Sequence, residues 1–252
     1  MAETNFLFGL HAVQAAFEQD SDSVEEIWVD AKRQDKRMTT IIDSAKKSGL
    51  VVHAVDKQVL SEKAGSDKHQ GVVAQCRAPG VKDEAWLARL LETLDEPPFL
   101  LILDGVQDPH NLGACLRTAD GAGVHAIIAP KDRAASLTPT VIKVASGAAQ
   151  TVPFIQVTNL SRTLKMLKEA GVWLVGLDGY AEQSLYETDL KGSLAIVMGA
   201  EGQGLRRLTK EHCDYLVKIP MSGSVESLNV SVAAGICLFE ALRKRAEKGQ
   251  SQ

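Results

Sequence analysis

Residues 99–117 read FLLILDGVQDPHNLGACLR and carry the clearest structural signal in the chain. The apolar run Phe99–Leu103 is typical of a strand that is buried on both faces. A helix with 3.6-residue periodicity is predicted over Leu112–Asp120, directly after a polar turn. A buried strand that is followed at once by a helix is one unit of an α/β fold with a parallel sheet.

The rest of the C-terminal half repeats this alternation, which predicts a mainly parallel sheet. Further buried strands are predicted at Ala126–Ala129, Phe154–Val157, Trp173–Leu177, Leu194–Met198 and Leu216–Ile219. Further helices are predicted over Pro139–Ala148, Leu160–Ala170 and Leu228–Arg245. The last helix is apolar on most of its faces, so it needs more than one neighbour, either inside one large domain or across a homodimer interface.

The first 77 residues predict a separate small α/β domain, because short β-rich runs alternate there with amphipathic helices. The strands are predicted at Asn5–Phe8, Glu26–Val29, Leu50–Val55 and Gly71–Arg77, and the helices at Leu10–Glu18, Asp35–Lys47 and Lys57–Lys63. Residues 78–98 have proline at both ends and are predicted to be a linker with a short helix around Glu84–Leu94. The predicted domains are therefore 1–77 and 99–252.

Composition excludes several classes of protein. A net charge of -4 argues against a protein that coats nucleic acid by bulk electrostatics, so any RNA contact must come from local basic patches such as Lys32–Arg37. The sequence has neither a secretion signal nor an uncharged apolar stretch of about 18 residues, which predicts a cytoplasmic protein with no membrane contact. The four cysteines are scattered without metal-ligand spacing, so we expect reduced thiols and no metal.

Two glycine-rich segments are candidates for a phosphate-bearing cofactor. Gly121–Ala126 has the letters of a dinucleotide fingerprint, which would indicate a nicotinamide-dependent dehydrogenase. That fingerprint follows a strand and opens a helix, whereas this segment ends a helix and enters a strand. Met198–Leu205 does follow an apolar strand, and its three glycines and Glu201 fit a ligand-approach loop at the carboxyl edge of a parallel sheet. An ordinary tight turn is the alternative.

Two further loops carry polar side chains next to predicted helices. Asp108 or Asn111 can cap the helix that contains Arg117, and an arginine near an open helix end suits an anionic ligand. Plain capping with a surface salt bridge is the alternative. Ile219–Ser231 joins the last strand to the last helix, and its hydroxyl and amide groups either bind a polar ligand or cap the helix.

Three of these segments, in this order, resemble the signature motifs of the SpoU family of RNA ribose methyltransferases: Asn111–Arg117, Gly199–Gly204 and Ile219–Ser231. Lys68–Ala74 also resembles the end of that family's substrate-binding domain, so the resemblance covers most of the chain. Within the family, residues 103–117 and the loop at Ile219 are most similar to the enzymes that methylate a guanosine ribose of 23S rRNA, in the loop that receives the peptidyl-tRNA end.

The resemblance implies S-adenosylmethionine as cofactor and 23S rRNA as partner. It also implies a C-terminal SPOUT α/β domain with a deep trefoil knot, preceded by a small L30e-like α/β domain, in a homodimer whose active site uses both subunits. The implied catalytic residues are Asn111, Arg117, Glu201, Ser227 and Asn229, and the implied cofactor pocket is lined by backbone groups of Gly199, Ile219 and Leu228.

The resemblance leaves the role of Arg117 and the substrate open. The family's proposals make this arginine a general base, whereas a phosphate clamp is physically easier because a guanidinium stays protonated. A tRNA substrate is one alternative, since the same motifs serve both RNAs. A ribosome-binding module without catalysis is another, and the intact catalytic set counts against it.

Overall fold

A computed structural model of the chain describes residues 4–77 and 79–246. These residues divide into two compact units, 1–79 together with Ser146–Thr151, and Gly80–Ala145 together with Val152–Gln252. Residues 1–3, 78 and 247–252 of the predicted domains and linker lie outside the described residues. None of the helices in the described ranges combines the length and the apolar character needed to cross a membrane.

The strands and helices are numbered here in chain order. The strands are β1 (Thr4–Phe8), β2 (Val24–Asp30), β3 (Val52–Val55), β4 (Val72–Arg77), β5 (Phe99–Asp104), β6 (Ala126–Pro130), β7 (Phe154–Val157), β8 (Trp173–Leu177), β9 (Gln183–Ser184), β10 (Leu194–Gly199) and β11 (Tyr215–Lys218). The helices are α1 (Leu10–Asp20), α2 (Lys36–Lys47), α3 (Lys57–Ala64), α4 (Glu84–Thr93), α5 (Pro109–Gly121), α6 (Pro139–Ala145), α7 (Ala148–Thr151), α8 (Leu160–Glu169), α9 (Arg207–His212) and α10 (Val230–Ala246).

The first unit contains a four-stranded sheet in the order β1-β4-β2-β3. The pair β2–β3 is parallel and the other two pairs are antiparallel. The loop before β4 is fixed by its own side chains, since His69 is buried and its Nδ1 accepts a hydrogen bond from the Gly71 amide at 3.0 Å. Gln70 has a left-handed backbone (φ 52°), and its side-chain oxygen accepts from the Leu10 amide at 3.1 Å at the start of α1.

The second unit contains a seven-stranded sheet in the order β7-β6-β5-β10-β8-β11-β9. All six strand pairs are parallel, so the predicted α/β fold with a mainly parallel sheet is confirmed. The central strands are buried on both faces, as their continuous apolar sequences predict. The segment predicted as a linker contributes α4, whose Leu87 is fully buried in the core of this unit.

The prediction of one helix over Pro139–Ala148 is wrong. Helix α6 ends at Ala145, and the chain then passes through left-handed backbone at Ser146 (φ 53°) and Gly147 (φ 99°) before α7 begins. Two consecutive residues with positive φ cannot continue a right-handed helix, and α7 belongs to the first unit. The short elements β9 and α9 were not predicted, because two and six residues give no measurable periodicity.

The C-terminal end of α10 is tied to the segment that joins β8 to β10. Lys244 is buried, and its Nζ donates to the carbonyl oxygens of Tyr186 at 2.8 Å and Thr188 at 2.6 Å. Arg245 donates to the carbonyl oxygens of Gly192 and Pro97. Because charge-assisted hydrogen bonds are roughly twice as strong as neutral ones, the position of the last helix is closely defined.

Helices α5 and α6 pack closely at Gly113, so a larger side chain there should destabilise the fold. A Cβ on Gly113 would lie 2.6 Å from Val144 Cβ and 2.9 Å from the Val141 carbonyl oxygen, so the two helices would have to separate. We expect Gly113→Ala to lower the free energy of unfolding by about 1–3 kcal/mol, measured by chemical denaturation. The matched control is Gly235→Ala in α10, where a Cβ would make an ordinary 3.5 Å contact with Thr118.

For Gly235→Ala we expect unchanged or higher stability, by up to about 1 kcal/mol from helix propensity. Equal effects of the two substitutions would contradict the close packing of α5 on α6.

Candidate active site

Three loops meet at the carboxyl edge of the seven-stranded sheet, where β5, β10 and β11 end. In the parallel pair β5–β10, Asp104 lies opposite Gly199, so the loop before α5 and the glycine-rich loop begin side by side. The third loop runs from Ile219 to Asn229 and leads into α10. The sequence-based expectation that Met198–Leu205 lies at the carboxyl edge of a parallel sheet is therefore confirmed.

Hydrogen bonds connect one side chain from each loop. Asn111 Nδ2 donates to Glu201 Oε2 at 3.3 Å, and Asn229 Nδ2 donates to Asn111 Oδ1 at 2.9 Å. Asn229 Nδ2 also lies 3.4 Å from Glu201 Oε1. We call these three residues the amide–carboxylate trio. Residues separated by up to 118 positions in the sequence thus form one polar cluster, and all three belong to the predicted catalytic set.

Each member of the trio is positioned by local structure. Asp108 is the N-cap of α5 and accepts from the His110 amide at 2.8 Å, which places Asn111 in the first turn of the helix, where it is buried. Asn229 precedes α10, and its Oδ1 accepts from the Ser231 amide at 2.9 Å. Asn229 therefore caps the helix with its oxygen and joins the trio with its nitrogen, so the capping interpretation of this loop applies to Asn229.

The glycine-rich loop is closed by two backbone hydrogen bonds. The Ala200 amide donates to the Gly204 carbonyl at 3.1 Å, and the Gly204 amide donates to the Ala200 carbonyl at 2.8 Å. A Cβ on Gly199 would lie only 2.0 Å from the Gly204 carbonyl carbon. Gly202 and Gly204 have φ of 75° and 65°, which favour glycine. The glycines are therefore required to bring Glu201 back towards α5.

A cavity of about 390 Å³ opens beside the trio and is lined by Asn111 and Glu201. Its lining also includes Asp104, Arg133 and Arg206, which the sequence analysis did not select as site residues. Asp104 is fully buried and accepts from the Arg206 amide at 3.1 Å. The one sequence feature that could have pointed to Asp104 is its place as a carboxylate directly after the apolar run of β5.

Arg117 and Ser227 lie apart from the trio. Both are exposed, and neither lines the cavity. Arg117 follows Asn111 by six residues, which on a helix means about 9 Å along the axis and about 120° around it. Arg117 therefore points to a different side of α5 from Asn111, although both belong to one sequence motif.

Two of the three predicted cofactor residues, Gly199 and Ile219, lie at the carboxyl ends of the strands next to β8. Gly199 ends β10 and Ile219 follows β11, and these two strands flank β8 in the sheet. Strands in a sheet lie about 4.8 Å apart, so the ends of β10 and β11 are roughly 10 Å from each other. Ile219 and Leu228 are half-buried, and none of the three lines the 390 Å³ cavity.

Two buried thiols and the arrangement of potential metal-binding side chains bear on other kinds of chemistry in the described residues. Burial raises the pKa of Cys115 and Cys237 to about 12, so both thiols stay protonated at neutral pH and cannot act as nucleophiles. Within the described ranges, no group of three or more histidine, cysteine, aspartate or glutamate side chains is placed to hold a metal ion.

Comparison with known families agrees with the three motifs. Residues 98–239 match the SpoU rRNA Methylase family, and residues 6–81 match the RNA 2'-O ribose methyltransferase substrate binding family. The first match contains all three loops of the site, and the second contains the buried His69 loop. The resemblance inferred from the motifs is confirmed.

Individual relatives match over nearly the whole chain. The 23S rRNA (guanosine-2'-O-)-methyltransferase RlmB of Ralstonia nicotianae is 55% identical, with 98% of each chain covered. The enzyme of the same name from Escherichia coli K12 is 53% identical, with 96% of this chain and 100% of the relative covered. A solved structure, the AdoMet-bound rRNA methyltransferase from Sinorhizobium meliloti, is 25% identical with a TM-score of 0.69, covering 95% of this chain and 87% of the other. The chain belongs to the SpoU rRNA methylase family.

Proposed function

We propose that this chain transfers a methyl group from S-adenosylmethionine to the 2'-hydroxyl of a guanosine ribose in 23S rRNA. The observation that carries the proposal is the amide–carboxylate trio, which three separate loops assemble beside a cavity at the carboxyl edge of the sheet. Relatives that carry this activity in their names are 53–55% identical over nearly the full chain. Because 23S rRNA is a cytoplasmic molecule in bacteria, we also propose a cytoplasmic location.

The trio is suited to orient a hydroxyl group. Bound S-adenosylmethionine supplies an electrophilic methyl group, so the chain's own task is to align the ribose oxygen and to take up its proton. Glu201 offers carboxylate oxygens whose direction is fixed by the amides of Asn111 and Asn229. Correct orientation of reacting groups contributes up to about 7–11 kcal/mol of barrier reduction.

For the cofactor we propose the region at the carboxyl end of β8, held by backbone groups of Gly199, Ile219 and Leu228. Two features support this choice. Gly199 and Ile219 lie at the ends of the two strands that flank β8, and Ile219 and Leu228 present half-buried apolar surface. Pockets for small molecules combine apolar lining with a few backbone polar groups in this way.

For Arg117 we propose the role of phosphate clamp rather than general base. A guanidinium is protonated at neutral pH and presents several N–H donors that match phosphate oxygens. Its exposed position on α5 leaves it free to meet RNA. For Ser227, which is exposed in the loop before α10, we propose that its hydroxyl positions the ribose or passes on a proton.

We further propose a homodimer in which α10 forms the interface and Arg117 acts in the partner's site. Helix α10 packs on α5 inside the unit, yet it leaves Val232 52%, Phe239 49% and Leu242 37% exposed. Apolar side chains clustered on one exposed helix are typical of an interaction surface. Because Arg117 and the trio point to different sides of α5, a second subunit is the simplest way to bring an arginine to the trio.

The trefoil knot and the L30e-like first domain remain part of the proposal. In support of the knot, the chain returns after β11 to pack α10 on α5, and the end of α10 is bound by carbonyls of the earlier β8–β10 connection. In support of the L30e-like domain, the first unit is a small mixed sheet with helices, and it matches a substrate-binding family. The target loop, where the peptidyl-tRNA end is received, rests on the similarity of residues 103–117.

The role of Glu201 is tested by the isosteric change Glu201→Gln, which removes the negative charge and keeps the shape. We expect methyl transfer to 23S rRNA to fall by about 10²-fold or more, since misplacement of the ribose oxygen after loss of an orienting charge has this order. S-adenosylmethionine affinity, measured by calorimetry, should stay unchanged. The control is Glu211→Gln on α9, where the carboxylate pairs with Arg207 away from the cavity. Full activity of Glu201→Gln would remove the trio from the chemistry.

Mixed dimers test whether Arg117 acts across subunits. We expect Arg117→Ala and Glu201→Gln each to be inactive alone, whereas an equal mixture should regain roughly a quarter of wild-type activity. The reason is that random exchange makes half of the dimers mixed, and each mixed dimer rebuilds one of its two sites. Activity is measured after the chains are unfolded and refolded together. A mixture that stays inactive, although mixed dimers are detected by mass spectrometry, places Arg117 in the site of its own chain.

A further inference from the structure

The acidic residues that line the 390 Å³ cavity would repel RNA, so binding of RNA there requires the positive charge of two arginines. Its lining includes three acidic residues, Asp104, Asp108 and Glu201, and two arginines, Arg133 and Arg206. RNA is a polyanion, so a lining with carboxylates alone would repel it. Arg133 and Arg206 lie outside the three signature motifs and outside the predicted catalytic set.

Arg206 is held in place by a buried carboxylate. Its Nη1 lies 3.4 Å from Asp104 Oδ1, and its backbone amide donates to Asp104 Oδ2. Asp104 is fully buried, while the Arg206 side chain is 47% exposed. The guanidinium therefore lies beside Asp104, while about half of the Arg206 side chain stays exposed. A side chain that is already fixed loses less conformational entropy when it binds.

Gly105 makes the space in which this guanidinium lies. Its backbone is left-handed (φ 88°), and a Cβ at this position would be 3.0 Å from Arg206 Nη2. The same Cβ would be 3.7 Å from the Arg133 carbonyl oxygen. The two arginine segments thus approach each other across a glycine, at the point where β5 ends.

Arg133 has a conformation that is rare for a residue with a side chain. Its φ is 55°, in the left-handed region. The surrounding loop holds it there, because the Ala135 amide donates to the Val106 carbonyl at 2.8 Å and Gln107 Nε2 lies 3.5 Å from the Arg133 carbonyl oxygen. Backbone strain of this kind is concentrated at functional sites.

We propose that Arg206, together with Arg133, forms a binding subsite for a phosphodiester group of the RNA backbone next to the target ribose. Guanidinium groups bind phosphate oxygens through paired N–H donors, and phosphate contacts set the register of a nucleic acid without reading its sequence. Asn111 and Glu201 of the trio line the same cavity, so we expect a phosphate held here to place a neighbouring ribose near Glu201. The inference rests on the proposed function, because its ligand is the RNA substrate.

The test compares two pairs of variants of the full chain in binding to a 23S rRNA fragment at several salt concentrations. Arg206→Gln is paired with Arg207→Gln, since Arg207 is the next residue, is 80% exposed, pairs with Glu211 and does not line the cavity. For Arg206→Gln we expect an affinity loss of about tenfold and a salt slope reduced by about one. Arg207→Gln should bind like the wild type. Arg206→Lys should bind more tightly than Arg206→Gln, because lysine keeps the positive charge but lacks the paired N–H donors of a guanidinium.

Arg133→Gly controls for a loss of stability. Such a loss is expected in Arg206→Gln, because it removes the ion pair of the buried Asp104 carboxylate. Glycine relieves the left-handed strain at position 133, so this variant should unfold at the same or a higher temperature. It should nevertheless bind the RNA fragment several-fold more weakly. A purely structural role of Arg133 predicts the opposite, unchanged RNA affinity. S-adenosylmethionine affinity should be unchanged in all variants.

The outcomes separate the subsite from the proposed function. Wild-type affinity and salt slope in both Arg206→Gln and Arg133→Gly would overturn the subsite, even if the wild type methylates 23S rRNA. Failure of the wild type to methylate the RNA would overturn the proposed function, and the binding comparison would still decide the subsite. Weaker binding in both arginine variants, with Arg207→Gln unaffected, supports the subsite.

Discussion

The parallel pairing of β10 with β5 is the constraint on which the site depends. It puts Gly199 opposite Asp104, so that two loops leave the sheet at adjacent positions. A glycine is required at 199 because the loop turns back on itself within five residues. Had this strand joined the sheet at its outer edge, Glu201 would lie several strand spacings away from Asn111. The insertion of β10 between β5 and β8 therefore creates the amide–carboxylate trio.

The same edge of the sheet divides into two regions with different chemistry. Between β5 and β10 lie the trio, the cavity and the ion pair of Asp104 with Arg206, all of which are polar. Above β8, between β10 and β11, the flanking residues are glycine and half-buried aliphatic side chains. In the proposed function, the RNA strand occupies the first region and the cofactor the second, with Glu201 in the loop between them.

Much of the second unit is predictable from the sequence because its strands are buried on both faces. Such strands appear as uninterrupted apolar runs, and β7 and β8 begin and end at the predicted residues. The strand order is not predictable in this way, since the apolar sequence of β10 indicates that it is buried but not which strands are its neighbours. The break at Ser146 was missed because the helical pattern was extended through Ser146-Gly147, although this dipeptide is itself a turn signal.

The site shows the same division. Asn111, Glu201 and Asn229 stand out in the sequence because they occur in polar loops next to predicted helices and strands, and the fold brings them together. Asp104 gave only a weak signal and Arg133 gave none, because their importance depends on a buried position and a backbone angle that appear only in three dimensions. The different sides of α5 taken by Asn111 and Arg117 follow from helix geometry, and we propose that a second subunit brings an arginine to the trio.

The most direct measurement is to incubate the purified protein with radiolabelled S-adenosylmethionine and unmodified 23S rRNA, and then to map the label by nuclease digestion. The account predicts label on the 2'-oxygen of a single guanosine, in the loop that receives the peptidyl-tRNA end. Label on tRNA alone would contradict the proposed substrate and keep the chemistry. No label on either RNA, from protein that binds S-adenosylmethionine, would contradict the assignment of the site as a ribose methyltransferase centre.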